Sequence, residues 1–310
     1  MIKISVNMIL KETSNLETKF LSSCLDSLIG FPDEIIIIDN GCSPIAREVI
    51  SAKMMNFNNI QNSWIINEGE YDFSTLRNKA LDSISINPDY IYWIDGDEVA
   101  FPEELKRLKY ILDGYAGVSE VCQEMVHFMI SPDQYQDVIR KNNMFRYNKN
   151  LRWDKSVHEC LINKTEGEVL NLNTKYLHFG YCRHQVMRFI RWLQYAYLEH
   201  GNVNCYRENI ENIDGKDKVV DYLRDWRTPN TILQDRIPLC KPYKDEYPAS
   251  CDSWLKEWKD SGLLWEEYIY KFDPEISKLW NEWQELYKKH GSWKDTLRDI
   301  CKMQGWKENF

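Results

Sequence analysis

The stretch Tyr90-Ile91-Tyr92-Trp93-Ile94-Asp95-Gly96-Asp97-Glu98 is an apolar run that ends in three carboxylates, the first two separated by a glycine. Like charges crowded in this way repel one another unless a cation sits among them. Hard divalent ions such as Mg²⁺ take oxygen ligands, commonly one or two carboxylates plus substrate phosphates. Mn²⁺ also suits carboxylates and tolerates an added imidazole. In open α/β sheets, ligands bind at the carboxyl ends of the strands. The segment therefore suggests a metal–diphosphate site, against the plainer alternative of a strand followed by a solvated acidic turn.

Further residues could complete such a site. Asp39 follows the run Ile35-Ile36-Ile37-Ile38 at a glycine turn, Asn40-Gly41-Cys42-Ser43. There a carboxylate can bind a base or ribose, or cap the next helix. Arg77 and Arg146 are either solvated arginines or planar partners for a base or phosphate. The segment Leu151-Arg152-Trp153-Asp154-Lys155-Ser156-Val157-His158-Glu159 crowds titratable groups beside an aromatic. A carboxylate there can serve as general base, and His158 can hold a metal or a substrate hydroxyl. His178, in Tyr176-Leu177-His178-Phe179-Gly180-Tyr181, is a core histidine or a third metal ligand.

The elements that must carry these residues alternate between strand and helix. Ile2 to Leu10 reads as a buried strand, and Leu16 to Leu28 has helical spacing. Ile35 to Ile38 is a strand covered on both faces. A helix follows around Ile45 to Met54, then a short strand from Ser63 to Ile66, a helix from Phe73 to Ser85 and a strand from Tyr90 to Ile94. Pro102 suits the first turn of a helix running to about Leu112. Val121 to Ile130, carrying His127, reads as a further strand, with shorter ones at Phe145 to Tyr147 and Lys175 to Phe179. This alternation predicts a doubly wound, mainly parallel sheet with right-handed crossovers. From about Arg183 the pattern turns helical: Val186, Phe189, Ile190, Leu193, Tyr197 and Leu198, then Trp254 to Trp258, Leu263 to Tyr270 and Ile276 to Tyr287. The expected layout is an α/β catalytic domain over 1–182 and a helical, Trp-rich region over 183–310, the latter supplying an acceptor groove or a homodimer contact.

Bulk properties narrow the classes. The chain has 310 residues, 43% of them hydrophobic, enough for a sizeable core. A net charge of −9 argues against general nucleic-acid binding, which needs basic surface. Nine cysteines without C-x-x-C spacing fit a reducing compartment better than a disulfide framework or a zinc knuckle. No signal peptide and no bilayer-length apolar run are visible, so a cytoplasmic protein is expected, with docking at a membrane surface as the only membrane role.

In order along the chain, these motifs resemble family 2 glycosyltransferases, the inverting nucleotide-sugar transferases of GT-A fold. The resemblance covers roughly residues 2 to 182. It rests on Ile4-Ser5-Val6-Asn7-Met8-Ile9, Asp33 to Ser43, Phe73 to Asn78 and Trp93 to Glu98, joined by Phe145-Arg146, Val157-His158-Glu159 and His178-Phe179-Gly180-Tyr181. It implies a Rossmann-like mixed sheet flanked by helices. It also implies a nucleoside-diphosphate sugar donor, UDP-sugar favoured, a divalent Mn²⁺ or Mg²⁺ ion, and a saccharide or glycoconjugate acceptor. Asp39 would then bind the nucleobase, and Arg77, Arg146 and Asp95 would contact the donor. Asp95 and Asp97 would form the metal motif, with His178 and His158 as added ligands. Glu159 would be the general base, with Asp154 as second choice.

Two rivals stay open. A nucleotidyltransferase would share the strand-end carboxylates but needs a loop rich in glycine and basic residues near the N-terminus to cradle a triphosphate, which Ile9-Leu10-Lys11-Glu12 does not supply. A non-catalytic carbohydrate-binding module would use the tryptophans as stacking platforms.

Overall fold

The computed structural model describes residues 2–67, 72–184, 187–188, 191, 239–291, 299 and 302–303. The expected helical face from Val186 to Leu198 lies outside the described residues, apart from positions 187, 188 and 191.

A nine-stranded sheet forms the centre. Its strands are β1 (Ile4–Leu10), β2 (Glu34–Asp39), β3 (Gln61–Ile66), β4 (Tyr90–Trp93), β5 (Glu98–Ala100), β6 (Val118–Met129), β7 (Gln134–Arg146), β10 (Glu168–Tyr181) and β11 (Lys241–Pro242). The order is β3-β2-β1-β4-β7-β6-β10-β5, with β11 on β7. The first half is parallel, as the alternating pattern predicts, and β10 runs parallel to β6. The β4–β7, β6–β7, β5–β10 and β7–β11 pairs are antiparallel, which makes the sheet mixed. A separate hairpin joins β8 (Arg152–Asp154) to β9 (Cys160–Ile162).

Local chemistry sets the helices. In α1 (Asn15–Ser27), Ser14 and Glu17 form a reciprocal capping box. Ser43 caps α2 (Pro44–Met54), with proline in its first turn, and Asp72 caps α3 (Phe73–Asp82). Pro102 opens α4 (Pro102–Gly114). Strands β1 and β2 are buried almost throughout, because helices cover both faces.

Strands β7 and β10 are far longer than the sequence suggests. The added length of β7 is mostly polar and is held by ladder bonds and ion pairs such as Arg140–Glu124 (3.2 Å), whereas that of β10 alternates Leu170 and Leu172, packed on the core, with asparagines.

The C-terminal helices are α5 (Asp252–Ser261), α6 (Trp265–Phe272) and α7 (Pro274–His290). They bury Trp254, Trp258, Trp265, Trp280 and Trp283 in one core with Phe20 of α1, Phe128 of β6 and Leu177 and Phe179 of β10. Phe20 lies 5.3 Å from Phe179 and 5.4 Å from Trp254, centroid to centroid. The indole N–H of Trp254 donates to Ser23 Oγ (2.9 Å) and that of Trp265 to the Cys182 carbonyl (2.5 Å). Among the described residues, no helix is long and apolar enough to cross a membrane.

Candidate active site

A cavity of about 540 Å³ opens where β1, β2 and β4 end, with Glu12, Asn40 and Asp95 following those strands into its wall. This is the ligand edge of an open α/β sheet.

The turn Asp95-Gly96-Asp97-Glu98 sends its three carboxylates to different partners. Glu98 is fully buried and faces away from the cavity: its carboxylate accepts from Lys141 Nζ (2.8 Å) and from the Asp95 backbone N–H (3.0 Å). Burial pushes the Glu98 carboxyl up, with Lys141 opposing. Asp95 Oδ1 accepts from the Arg77 guanidinium (3.1 Å). Asp97 Oδ2 pairs with Arg183 (2.8 Å), whereas its Oδ1 is buried with no hydrogen-bond partner. Burial alone would raise the Asp97 carboxyl, but Arg183 and then His178 outweigh it and hold it well below the usual carboxylate range.

His178 Nε2 lies 3.7 Å from Asp97 Oδ1. The space before these atoms exists because residue 180 is glycine. A Cβ there would sit 2.5 Å from His178 Nε2 and 3.1 Å from Asp97 Oδ2. One carboxylate oxygen without a partner and one imidazole nitrogen are the donor set of a hard or borderline divalent ion whose other positions go to phosphate and water. The residues present therefore fit such an ion. Among the described residues, no group of three or more His, Cys, Asp and Glu side chains is arranged to hold a metal alone. Of the expected ligands Asp95, Asp97, His158 and His178, the second and fourth face each other. Asp95 turns to Arg77, and His158 sits on the exposed rim with a left-handed φ of 54°.

Arg77 connects the two halves of the cavity. Its Nε donates to Glu159 Oε1 (2.6 Å), and its guanidinium stacks over Trp93 (4.0 Å) and more loosely over Trp153 (5.3 Å). Burial would lower its pKa, but Asp95 and Glu159 raise it, so the side chain stays charged. Asn78, next on α3, exchanges two hydrogen bonds with the Trp153 backbone, each 2.8 Å. The β8–β9 hairpin is thereby stapled to α3 and delivers Glu159 to the cavity wall.

Three expected site residues land elsewhere. Asp39 is buried and ties down the turn between β2 and α2, accepting from the backbone N–H groups of Gly41 (3.0 Å) and Cys42 (2.8 Å) and from Arg47 Nε (2.7 Å). Its neighbour Asn40 lines the cavity instead. Arg146 pairs in register with Tyr90 at the start of β4, the sheet edge opposite the cavity. It donates there to the Val118 carbonyl and the Tyr90 hydroxyl, both at 2.9 Å, and to the Ala116 carbonyl. Asp154 is exposed on β8, outside the lining.

The sequence reading gives no role to the ion cluster beneath the cavity. Arg183 Nε donates to Glu17 Oε1 (2.6 Å), and Arg191 joins the same oxygen (3.3 Å). Glu12 Oε2 is buried 3.8 Å from Arg183 and 3.9 Å from Arg191, with no hydrogen bond. These partners lie far apart in the chain, so no local spacing signals them.

Residues 15–163, just under half of the chain, match the model of glycosyl transferase family 2, in agreement with the resemblance read from the motifs. Solved structures that the chain matches in part include Staphylococcus aureus TarS 1–349 in complex with UDP, at 16% identity and a TM-score of 0.34, covering 42% of this chain and 37% of that one. TarS 1–349 without ligand gives 14% identity and a TM-score of 0.38 over 71% of this chain and 68% of that chain. Glucosyl-3-phosphoglycerate synthase from Mycobacterium tuberculosis, with Mn²⁺, UDP and glucosyl-3-phosphoglycerate, gives 18% identity and a TM-score of 0.31 over 40% and 44%. The chain thus spans little more than a third of the first of these structures, and at these scores the likenesses add no functional argument. The comparison with curated proteins gives no match.

Proposed function

We propose that this chain is a metal-dependent, inverting glycosyltransferase. It moves a sugar from a nucleoside-diphosphate sugar, UDP-sugar favoured, to a hydroxyl of a saccharide or glycoconjugate. The observation that carries this reading is one cavity, on the ligand edge of a sheet largely within the family 2 segment, that holds both the open Asp97–His178 pair and the Arg77-held Glu159.

Asp97 Oδ1 and His178 Nε2 would hold Mn²⁺ or Mg²⁺. When bound, the ion neutralises charge that builds on the diphosphate leaving group. Arg183 fixes Asp97 through Oδ2, which leaves Oδ1 to the ligand. Arg77 engages Glu159 through Oε1, and Oε2 takes the proton of the acceptor hydroxyl as that oxygen attacks the anomeric carbon. Stacking between tryptophans keeps the guanidinium in the plane that this geometry needs. The rival sugar-binding module loses its platforms, since the five C-terminal tryptophans described lie in the core.

Two variants test the reading with UDP-sugars and Mn²⁺. Asp97→Asn should abolish both transfer and the Mn²⁺ dependence of UDP binding while the protein stays folded. Glu159→Gln should keep donor affinity and lower turnover by about 10²–10⁴-fold, the usual contribution of a general base. Wild-type transfer by Asp97→Asn would end the metal-site reading, and near-normal turnover by Glu159→Gln would end the assignment of the base.

A further inference from the structure

His127 lies on β6 directly beside His178 on β10, as cross-strand partners in register. The two rings stack with centroids 4.8 Å apart and an interplanar angle of 24°. Their Nδ1 atoms are 2.9 Å apart, a hydrogen-bond distance. The Tyr181 ring abuts His127 edge-on at 5.0 Å, which restrains the ring further. We propose that His127 is a positioning residue that fixes the tautomer of His178, and through it the capacity of the Asp97–His178 pair to take a divalent cation. The inference rests on the metal-site reading above and assigns a function to a side chain which that reading leaves idle.

Two Nδ1 atoms at this distance share one proton. If it belongs to His178, then Nε2 of a neutral His178 is bare and offers a lone pair to the space beside Asp97. If it belongs to His127, then neutral His178 must carry its own proton on Nε2, and that nitrogen cannot ligate. The second nitrogen of a metal-binding histidine commonly donates to such an oriented partner, and the partner sets both ring angle and tautomer. The 3.7 Å between His178 Nε2 and Asp97 Oδ1 is too long for a hydrogen bond, so the pair is not closed on itself. Gly180 keeps the same space clear.

The test is a calorimetric titration of Mn²⁺ into the full chain with UDP, comparing wild type with His178→Ala, His127→Phe and His127→Asn. Phenylalanine keeps the stacking ring but cannot accept a proton, whereas the Asn Oδ1 stands near the lost Nδ1. His178→Ala should remove Mn²⁺ binding. His127→Phe should weaken it by about 10–100-fold, the typical loss for such a partner, with His127→Asn recovering most of the affinity. The ¹⁵N shifts of His178 should move toward the Nε2–H tautomer in His127→Phe alone. If His178→Ala fails to bind while His127→Phe binds as wild type, His127 positions nothing. An Asn variant as weak as the Phe variant would also overturn the proposal, because the role would be bulk packing. Equal binding by His178→Ala and wild type would remove the metal site itself, and the inference with it.

Discussion

Gly180 places the sharpest demand of any single residue in the cavity. It needs no unusual backbone conformation, so alanine meets no conformational barrier there, but its Cβ would meet the His178 ring at 2.5 Å and Asp97 Oδ2 at 3.1 Å. Gly180→Ala should therefore fold with nearly unchanged thermal stability yet bind UDP with Mn²⁺ at least about tenfold more weakly, as expected when a metal-site ligand is displaced. Parallel melting and binding measurements decide this, and wild-type affinity would show that the space before His178 is not used. At this scale the sequence was informative where chemistry sits at strand ends. Asp95, Asp97, Arg77, Glu159 and His178 all reach the cavity wall. It placed Asp39 in the site, whereas Asp39 ties down the β2–α2 turn, because a turn-stabilising carboxylate and a ligand-binding one look alike in sequence. It misled at Arg146 because the strand direction of β7 decides which sheet edge an arginine occupies, and that depends on pairing with β4.

Among the elements, the β1–α1 loop and the end of β10 are joined by buried charge. Glu12 is pushed up from 4.5 to about 8 by burial and then by Glu17, against the pull of Arg183 and Arg191. Glu17 is drawn from 4.5 down to about 2 by Arg183 and Arg191, which overcome the opposing effect of burial. Folding therefore favours protonated Glu12, a stabilisation complete below about pH 4.5 and lost as pH rises through about 8. The Glu17 contribution is present above about pH 4.5 and lost as pH falls toward about 2. Thermal melts should show stability falling from pH 5 to 8.5 in the wild type and a flatter profile there in Glu12→Gln, with the acid limb retained. An unchanged slope in that variant would refute this account of the charge cluster. Strands such as β1 and β2 were visible as continuous apolar runs. The polar reach of β7 was not, since backbone pairing rather than burial holds it, and the short Leu170–Leu172 alternation of β10 went unread.

The molecule as a whole is closed by its C-terminal helices, whose aromatic core includes residues on both sides of position 182. Removing everything after residue 184 would strip Phe20, Phe128 and Phe179 of Trp254 and Trp265 and expose a broad apolar face. Such a truncation should be recovered as insoluble or aggregated protein, and a monodisperse product on size-exclusion chromatography would show that the two parts fold separately. Trp265→Ala in the full chain should cost about 3–5 kcal/mol by denaturant titration, the usual range for deleting a buried tryptophan. Helical spacing placed these tryptophans on helices, but which surface they cover is set by contacts across most of the chain.

Strand β10 is one wall shared by two compartments. Leu177 and Phe179 belong to the aromatic core, while His178 and Gly180 line the cavity, because successive side chains leave a strand on opposite faces. A genetic screen scored on sugar transfer would therefore recover lesions in Trp254 or Trp265 that mimic loss of a ligand contact. Suppressors of those lesions would map to the far side of the same strand, beyond reach of any substrate.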